Sequence, residues 1–110
     1  MAKITAKIQQ QQLFCFSNPL PLCRLDSPAW FGWLETALTF RYFSEQRRNV
    51  FRGFGPPYAP VSFRKERRRQ GELWYAYRRV YGVLHKRYAG KSADLTTARL
   101  EEIAILLNEV

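Results

Sequence analysis

Apolar positions in the second half of the chain recur every second residue. Val61, Phe63 and Lys65 alternate with Ser62, Arg64 and Glu66, which predicts a first strand. Arg67-Arg68-Arg69-Gln70-Gly71 reads as a basic turn. Residues 73–80, rich in Trp, Tyr and Val, predict a second strand. Tyr81-Gly82 then forms a two-residue loop with glycine where a primed turn needs positive φ, and residues 83–88 return as a third strand. Beyond them the period changes. Thr96 caps a helix in which Leu100, Ile103, Ala104 and Leu107 share one face, with Glu101 and Glu102 outside.

The first half is less regular. Ser27-Pro28 is a helix start, a side-chain cap followed by proline at the first helical position. Trp30, Trp33, Leu34, Ala37 and Leu38 follow at helical spacing, ending near Thr39. That periodicity favours core or partner packing of Trp30 and Trp33 over base stacking. Phe40-Arg41-Tyr42-Phe43 extends as a short strand. Residues 44–60 read as a long loop, punctuated by Gly53, Gly55, Pro56, Pro57 and Pro60 and made basic by Arg47, Arg48 and Arg52. Residues 1–26, with the polar run Gln9 to Gln12 and the segment Asn18-Pro19-Leu20-Pro21, read as a leader that stays loose or packs as an arm.

The expected fold class is therefore α+β: an N-terminal helical segment followed by a three-stranded antiparallel sheet packed by a C-terminal helix. Three segments are expected: a leader or arm (1–26), a short Trp-bearing helix with a basic loop (27–60), and a β-β-β-α nucleic-acid-binding module (61–110).

Charge decides the class of partner. The 110 residues carry 18 Lys and Arg against nine Asp and Glu, a net +9. Residues 61–91 hold ten of the basic residues and two of the acidic ones, whereas residues 92–110 hold one and four. One dedicated basic surface of that sign attracts polyanions. Nucleic acid is the first expectation, ahead of an acidic protein or a membrane surface.

A two-residue turn pairs Val80 with Val83 and fixes two faces behind them. One carries Leu73, Tyr75, Tyr77, Arg79, Leu84, Lys86 and Tyr88, and as the more aromatic it is expected to meet the terminal helix together with Phe63. The other, carrying Trp74, Ala76, Arg78, Val80, Val83, His85 and Arg87, is expected to lie open. The candidate nucleic-acid-binding residues are accordingly Arg64, Arg67, Arg68, Arg69, Trp74, Arg78, His85, Arg87 and Lys91. Arginines on an open twisted sheet read guanine edges in a duplex major groove, and those at its rim contact phosphates.

Tyr75-Ala76-Tyr77-Arg78-Arg79, Gly82, Tyr88-Ala89-Gly90-Lys91-Ser92 and Leu95-Thr96, with the helix after them, resemble the arm-DNA-binding domain of tyrosine integrases. They also resemble a short module that precedes the ATPase region of some bacterial LuxR-type regulators and occurs as a free-standing small protein. The resemblance covers about residues 61–108. It implies a three-stranded sheet backed by a helix and docked in the major groove, and a role in transcription regulation or DNA recombination. Ala89 departs from that pattern, standing where a larger aliphatic residue is usual.

Other chemistry finds little footing. Gly90-Lys91-Ser92 ends like a phosphate-binding loop, but His85 occupies the position of the required upstream glycine. His85 is the one histidine, and with Cys15 and Cys23 it falls short of the four ligands of a zinc site. No enzyme activity, metal or cofactor is expected. No run has the length of a transmembrane span, and Asn18, Pro19 and Pro21 break the apolar stretch 13–25, so a cytoplasmic protein is expected. Three functions fit: a DNA-binding accessory or regulatory protein, an RNA-binding component in which Trp74 and Tyr81 stack on bases, and an interaction module docking through the Trp30/Trp33 helix.

Overall fold

The computed structural model describes residues 6–15, 21–50 and 53–109. The start of the leader, the loop residues Asn18-Pro19-Leu20 and Arg52 lie outside the described residues. Among the described residues nine strands run in chain order: β1 (Ala6–Gln9), β2 (Gln12–Cys15), β3 (Pro21–Arg24), β4 (Thr39–Tyr42), β5 (Arg47–Val50), β6 (Gly53–Pro57), β7 (Val61–Arg68), β8 (Gly71–Val80) and β9 (Val83–Gly90). The helices are α1 (Pro28–Thr36), between β3 and β4, and α2 (Thr97–Asn108), after β9 and a 3-10 turn at Ser92–Asp94.

Seven strands form one mixed sheet in the order β3-β2-β1-β4-β7-β8-β9, and β5 and β6 pair separately. This overturns the expected fold class of a helical segment followed by a three-stranded sheet. The strands predicted in residues 61–90 are present, but β7 continues into β4 antiparallel, with Phe40 opposite Phe63. β4 in turn pairs parallel with β1, with Lys7 opposite Arg41. Residues 6–9 and 12–15, read as leader, form an antiparallel hairpin of this sheet, and the presumed loop 44–60 contains the β5–β6 hairpin.

Both helix starts follow the sequence rules. The Ser27 hydroxyl accepts from the Trp30 amide at 3.3 Å, with Pro28 in the first turn, and the Thr96 hydroxyl accepts from the Arg99 amide at 3.2 Å. α1 stops at Thr36, three residues short of the expected end. Asp26 ties the two starts together: its carboxylate accepts from the Thr97 amide at 2.8 Å. At the far end of α2 the buried Asn108 accepts from the Ala59 amide at 2.9 Å and donates to the Ala59 and Ala104 carbonyls. These bonds satisfy a fully buried amide side chain and anchor the chain entering β7.

Both helices cover the same sheet face. Phe40 is the centre of that core, stacked on Phe63 at 5.0 Å, tilted against Trp74 at 5.2 Å and edge-on to Trp30 at 5.5 Å. Ala76 sits opposite Phe63, which gives the large ring a small cross-strand neighbour. Ile8 and Leu13 from the first hairpin belong to the same core cluster, as do Leu100, Ile103 and Leu107 from α2. The Trp30 indole donates to the Leu95 carbonyl at 2.7 Å and the Trp74 indole to the Ser92 hydroxyl at 3.0 Å, so neither buried ring leaves its N–H unpaired.

Candidate nucleic-acid interface

The turn between β8 and β9 is the expected two-residue loop, with Tyr81 at φ +49° and Gly82 at φ +81°, and Val80 pairs with Val83. The register follows, yet the faces are the reverse of those expected. Trp74 and Ala76 are fully buried beneath the helices, while Tyr75 and Tyr77 point away from them.

The reason lies in the cations of the inner face. Lys65 precedes the turn on that face, and its ammonium donates to the Leu34 and Glu35 carbonyls at 2.7 and 3.0 Å. The last carbonyls of α1, without helical partners, thus take the place of water around an ammonium whose side chain is only 3% exposed, with the Glu72 carboxylate 4.0 Å away. Arg78 does the same for α2, its guanidinium donating to the Leu107 carbonyl at 2.7 Å. Helix ends brought by tertiary packing accommodate both charges.

Trp74 is buried and closed to a base. Arg78 is held by α2, and His85 sits half-buried opposite it. Arg87 is opposite Ala76, on the helix side, but is itself exposed, as is Lys91. Arg67 and Arg69 are exposed at the end of β7 and in its turn. Arg64 and Arg68 are exposed on the uncovered face. The structure therefore divides the nine residues among the core, the helix side, the turn and the open face. Trp30 is also buried, with Trp33 stacked on it at 5.7 Å, so the helix proposed to dock a partner offers one half-covered indole.

The open face itself carries residues outside the candidate set. One row crosses the sheet as Arg41, Ser62, Tyr77 and Lys86, and the next as Thr39, Arg64, Tyr75 and Tyr88. Cations and rings interleave. Lys86 lies 4.4 Å from the Tyr75 ring centre and 5.5 Å from that of Tyr77; Arg64 lies 5.6 Å from Tyr77 and Arg68 5.2 Å from Tyr75. Tyr75 meets Tyr88 edge-on at 5.6 Å. Glu66 is the one carboxylate on this face of β7–β9. It accepts from the Tyr77 hydroxyl, from Arg68, and from Lys86 at 3.3 Å. The alternation that exposes these residues was legible in the sequence; which face it belonged to was not.

The acidic residues of the C-terminal segment lie on the other layer. Glu101 accepts from Tyr42 at 2.5 Å and from Ser44 at 2.7 Å; burial first, and then the Glu101 carboxylate, push the Tyr42 pKa up. Arg99 binds the Tyr88 and Ala89 carbonyls at the end of β9 and Glu102 at 2.8 Å. Cys23 is a free thiol whose pKa is raised by burial. Among the described residues no helix is long and apolar enough to cross a membrane. No protein family, curated protein or solved structure matches the chain.

Proposed function

We propose that this chain is a nucleic-acid-binding accessory protein, without catalysis of its own, that engages its ligand on the open face of β7–β9. The observation that carries this reading is the uncovered lattice of Arg64, Arg68 and Lys86 around Tyr75, Tyr77 and Tyr88. The cationic side chains lie against tyrosine rings, with one carboxylate, Glu66, among three cations, so the face keeps a net positive charge for phosphates. The exposed Arg67 and Arg69 extend the same charge around the β7–β8 turn. A polyanion whose backbone crosses the strands meets cations at a pitch set by the cross-strand rows, while the tyrosine hydroxyls add donors.

The test is a titration of labelled duplex DNA and of structured RNA, followed by anisotropy at several salt concentrations. If about five cations meet phosphates, log affinity falls against log salt with a slope near −4 to −5. The combined variant Arg64→Glu, Arg68→Glu, Lys86→Glu abolishes binding without unfolding the sheet. A slope flatter than about −1, or full binding by the combined variant, refutes the interface.

A further inference from the structure

The β8–β9 hairpin ends in a tyrosine that the fold does not need. Tyr81 is 100% exposed, and it holds φ +49° at the first central position of a primed turn. Asparagine, aspartate or glycine takes that conformation at least cost, and a bulky ring takes it at a penalty. An exposed side chain in a disfavoured conformation stabilises nothing around it, so the strain directs attention to what the ring meets outside the protein.

Its setting narrows the ligand. The last fully buried residue of β8 is Ala76 and the first of β9 is Ala89; beyond Arg78, which α2 holds, the end of the hairpin projects from the core. Val83 and Leu84 beside the ring are 58% and 51% exposed. Arg79 donates to the Gly82 carbonyl at 3.0 Å and braces the turn. No acidic residue lies between Glu72 and Asp94, whereas the exposed Arg79, Lys86 and Arg87 lie along the two strands. A rigid apolar tip on a wholly basic stem is complementary to a polyanion with an accessible apolar interior. The tip is also continuous with the cationic face: Leu84 pairs with Arg79, and Lys86 with Tyr77.

We infer that Tyr81 stacks on an unpaired base, so that the protein prefers single-stranded or locally opened nucleic acid to continuous duplex. This rests on the proposed interface and adds the feature by which that interface selects its ligand. Every base offers a π face, so such stacking is tolerant of sequence, and the phosphates flanking an opened base lie within reach of the cationic stem.

The experiment measures anisotropy on three probes of one length: a single strand, a blunt duplex, and a duplex with a central unpaired bulge carrying 2-aminopurine. Proteins compared are the native chain, Tyr81→Asn and Tyr81→Phe. Asparagine suits the turn, so the first variant removes the ring without disturbing the hairpin. The native protein is expected to bind the single strand and the bulge about 5- to 150-fold more tightly than the duplex and to quench 2-aminopurine. Tyr81→Asn is expected to lose that preference while binding duplex as before, and Tyr81→Phe to keep it. An unchanged preference in Tyr81→Asn overturns the inference and leaves the cationic face standing. Absence of binding to any of the three probes removes both. Tyr81-dependent capture by phosphatidylserine vesicles, with no preference among the probes, also overturns it and assigns the tip to an anionic bilayer.

Discussion

The guanidinium of Arg78 donates to the main-chain carbonyl of Leu107 at 2.7 Å, joining the middle of the β8–β9 hairpin to the last turn of α2. This side chain sits where a base-reading arginine is expected from the sequence, and it acts as a clasp for a helix end.

Arg78→Ala is therefore expected to lower folding stability by about 1–3 kcal/mol, because it leaves a carbonyl at the helix end unpaired. The Nε of Arg78 is buried without a partner, so Arg78→Met, which removes that group and keeps the aliphatic bulk, is expected to recover part of the loss. Arg87→Ala, exposed on the neighbouring strand, is expected to stay within about 0.5 kcal/mol of the native chain. Denaturant titrations of the three variants check this ranking, and equal stability of Arg78→Ala and Arg87→Ala would refute the clasp.

The two faces of β8 differ in the same measurable way. Trp74 is fully buried against Phe40, so Trp74→Ala is expected to cost about 3–5 kcal/mol. Tyr77 stands on the open face, and Tyr77→Ala is expected to cost about 1 kcal/mol or less through lost cross-strand contacts, while weakening nucleic-acid binding. If Tyr77→Ala melts first, the faces are assigned the wrong way round.

The elements with local signatures were legible in the sequence, and those made by distant pairing were not. Ser27-Pro28, Thr96, Tyr81-Gly82 and the alternation through β7–β9 each carry their signal within a few residues. The first hairpin does not: Gln10 and Gln11 take φ +53° and +62° in its turn, where the usual glycine or asparagine signal is absent. β1 also owes its place to a parallel pairing with β4, more than thirty residues along the chain. The aromatic content of β8 and β9 favours the Tyr75/Tyr77 face as core, but the buried face is the one that also carries Lys65 and Arg78. The carbonyls that accept them come from α1 and α2, and nothing near either residue in sequence announces those partners.

That parallel pairing ties β1, and through it β2 and β3, into the sheet, so a chain without residues 1–26 lacks three strands. Deleting them removes Ile8 and Leu13 from the core and leaves the β4 edge unpaired. The shortened chain is expected to lose its cooperative thermal transition. A sharp transition near that of the full chain would mean that β4 and β7–β9 fold without their neighbours.

Glu66 is the negative centre of the cationic face and engages Arg68 and Lys86. Glu66→Gln releases both cations and retains a polar partner for Tyr77. Removing one unit of repulsion at close range is expected to tighten nucleic-acid binding roughly fivefold at low salt, with a smaller gain at high salt. A loss of affinity in this variant would show that Glu66 positions the two cations and that its charge does not compete with phosphate.

Gly90 is buried at the end of β9. It pairs with Trp74 just where the β8–β9 register shifts, and it holds φ +125°. A Cβ there would lie 2.9 Å from the Cβ and Oδ2 of Asp94, whose carboxylate accepts from the Lys91 amide at 2.9 Å. The glycine of the Gly90-Lys91-Ser92 triplet thus serves a tight exit from the sheet into the 3-10 turn, which also carries the Trp74 partner Ser92. Gly90→Ala meets both a disfavoured backbone and a close contact, and is expected to cost about 2–4 kcal/mol. Gly32 lies in α1 with nothing within 4 Å of its would-be Cβ, so Gly32→Ala is expected to raise stability by about 0.5–1 kcal/mol. Melting the two variants side by side gives shifts of opposite sign if the backbone at Gly90 sets the exit from β9. A native-like melting temperature for Gly90→Ala would show that the turn relaxes freely and that the glycine is dispensable.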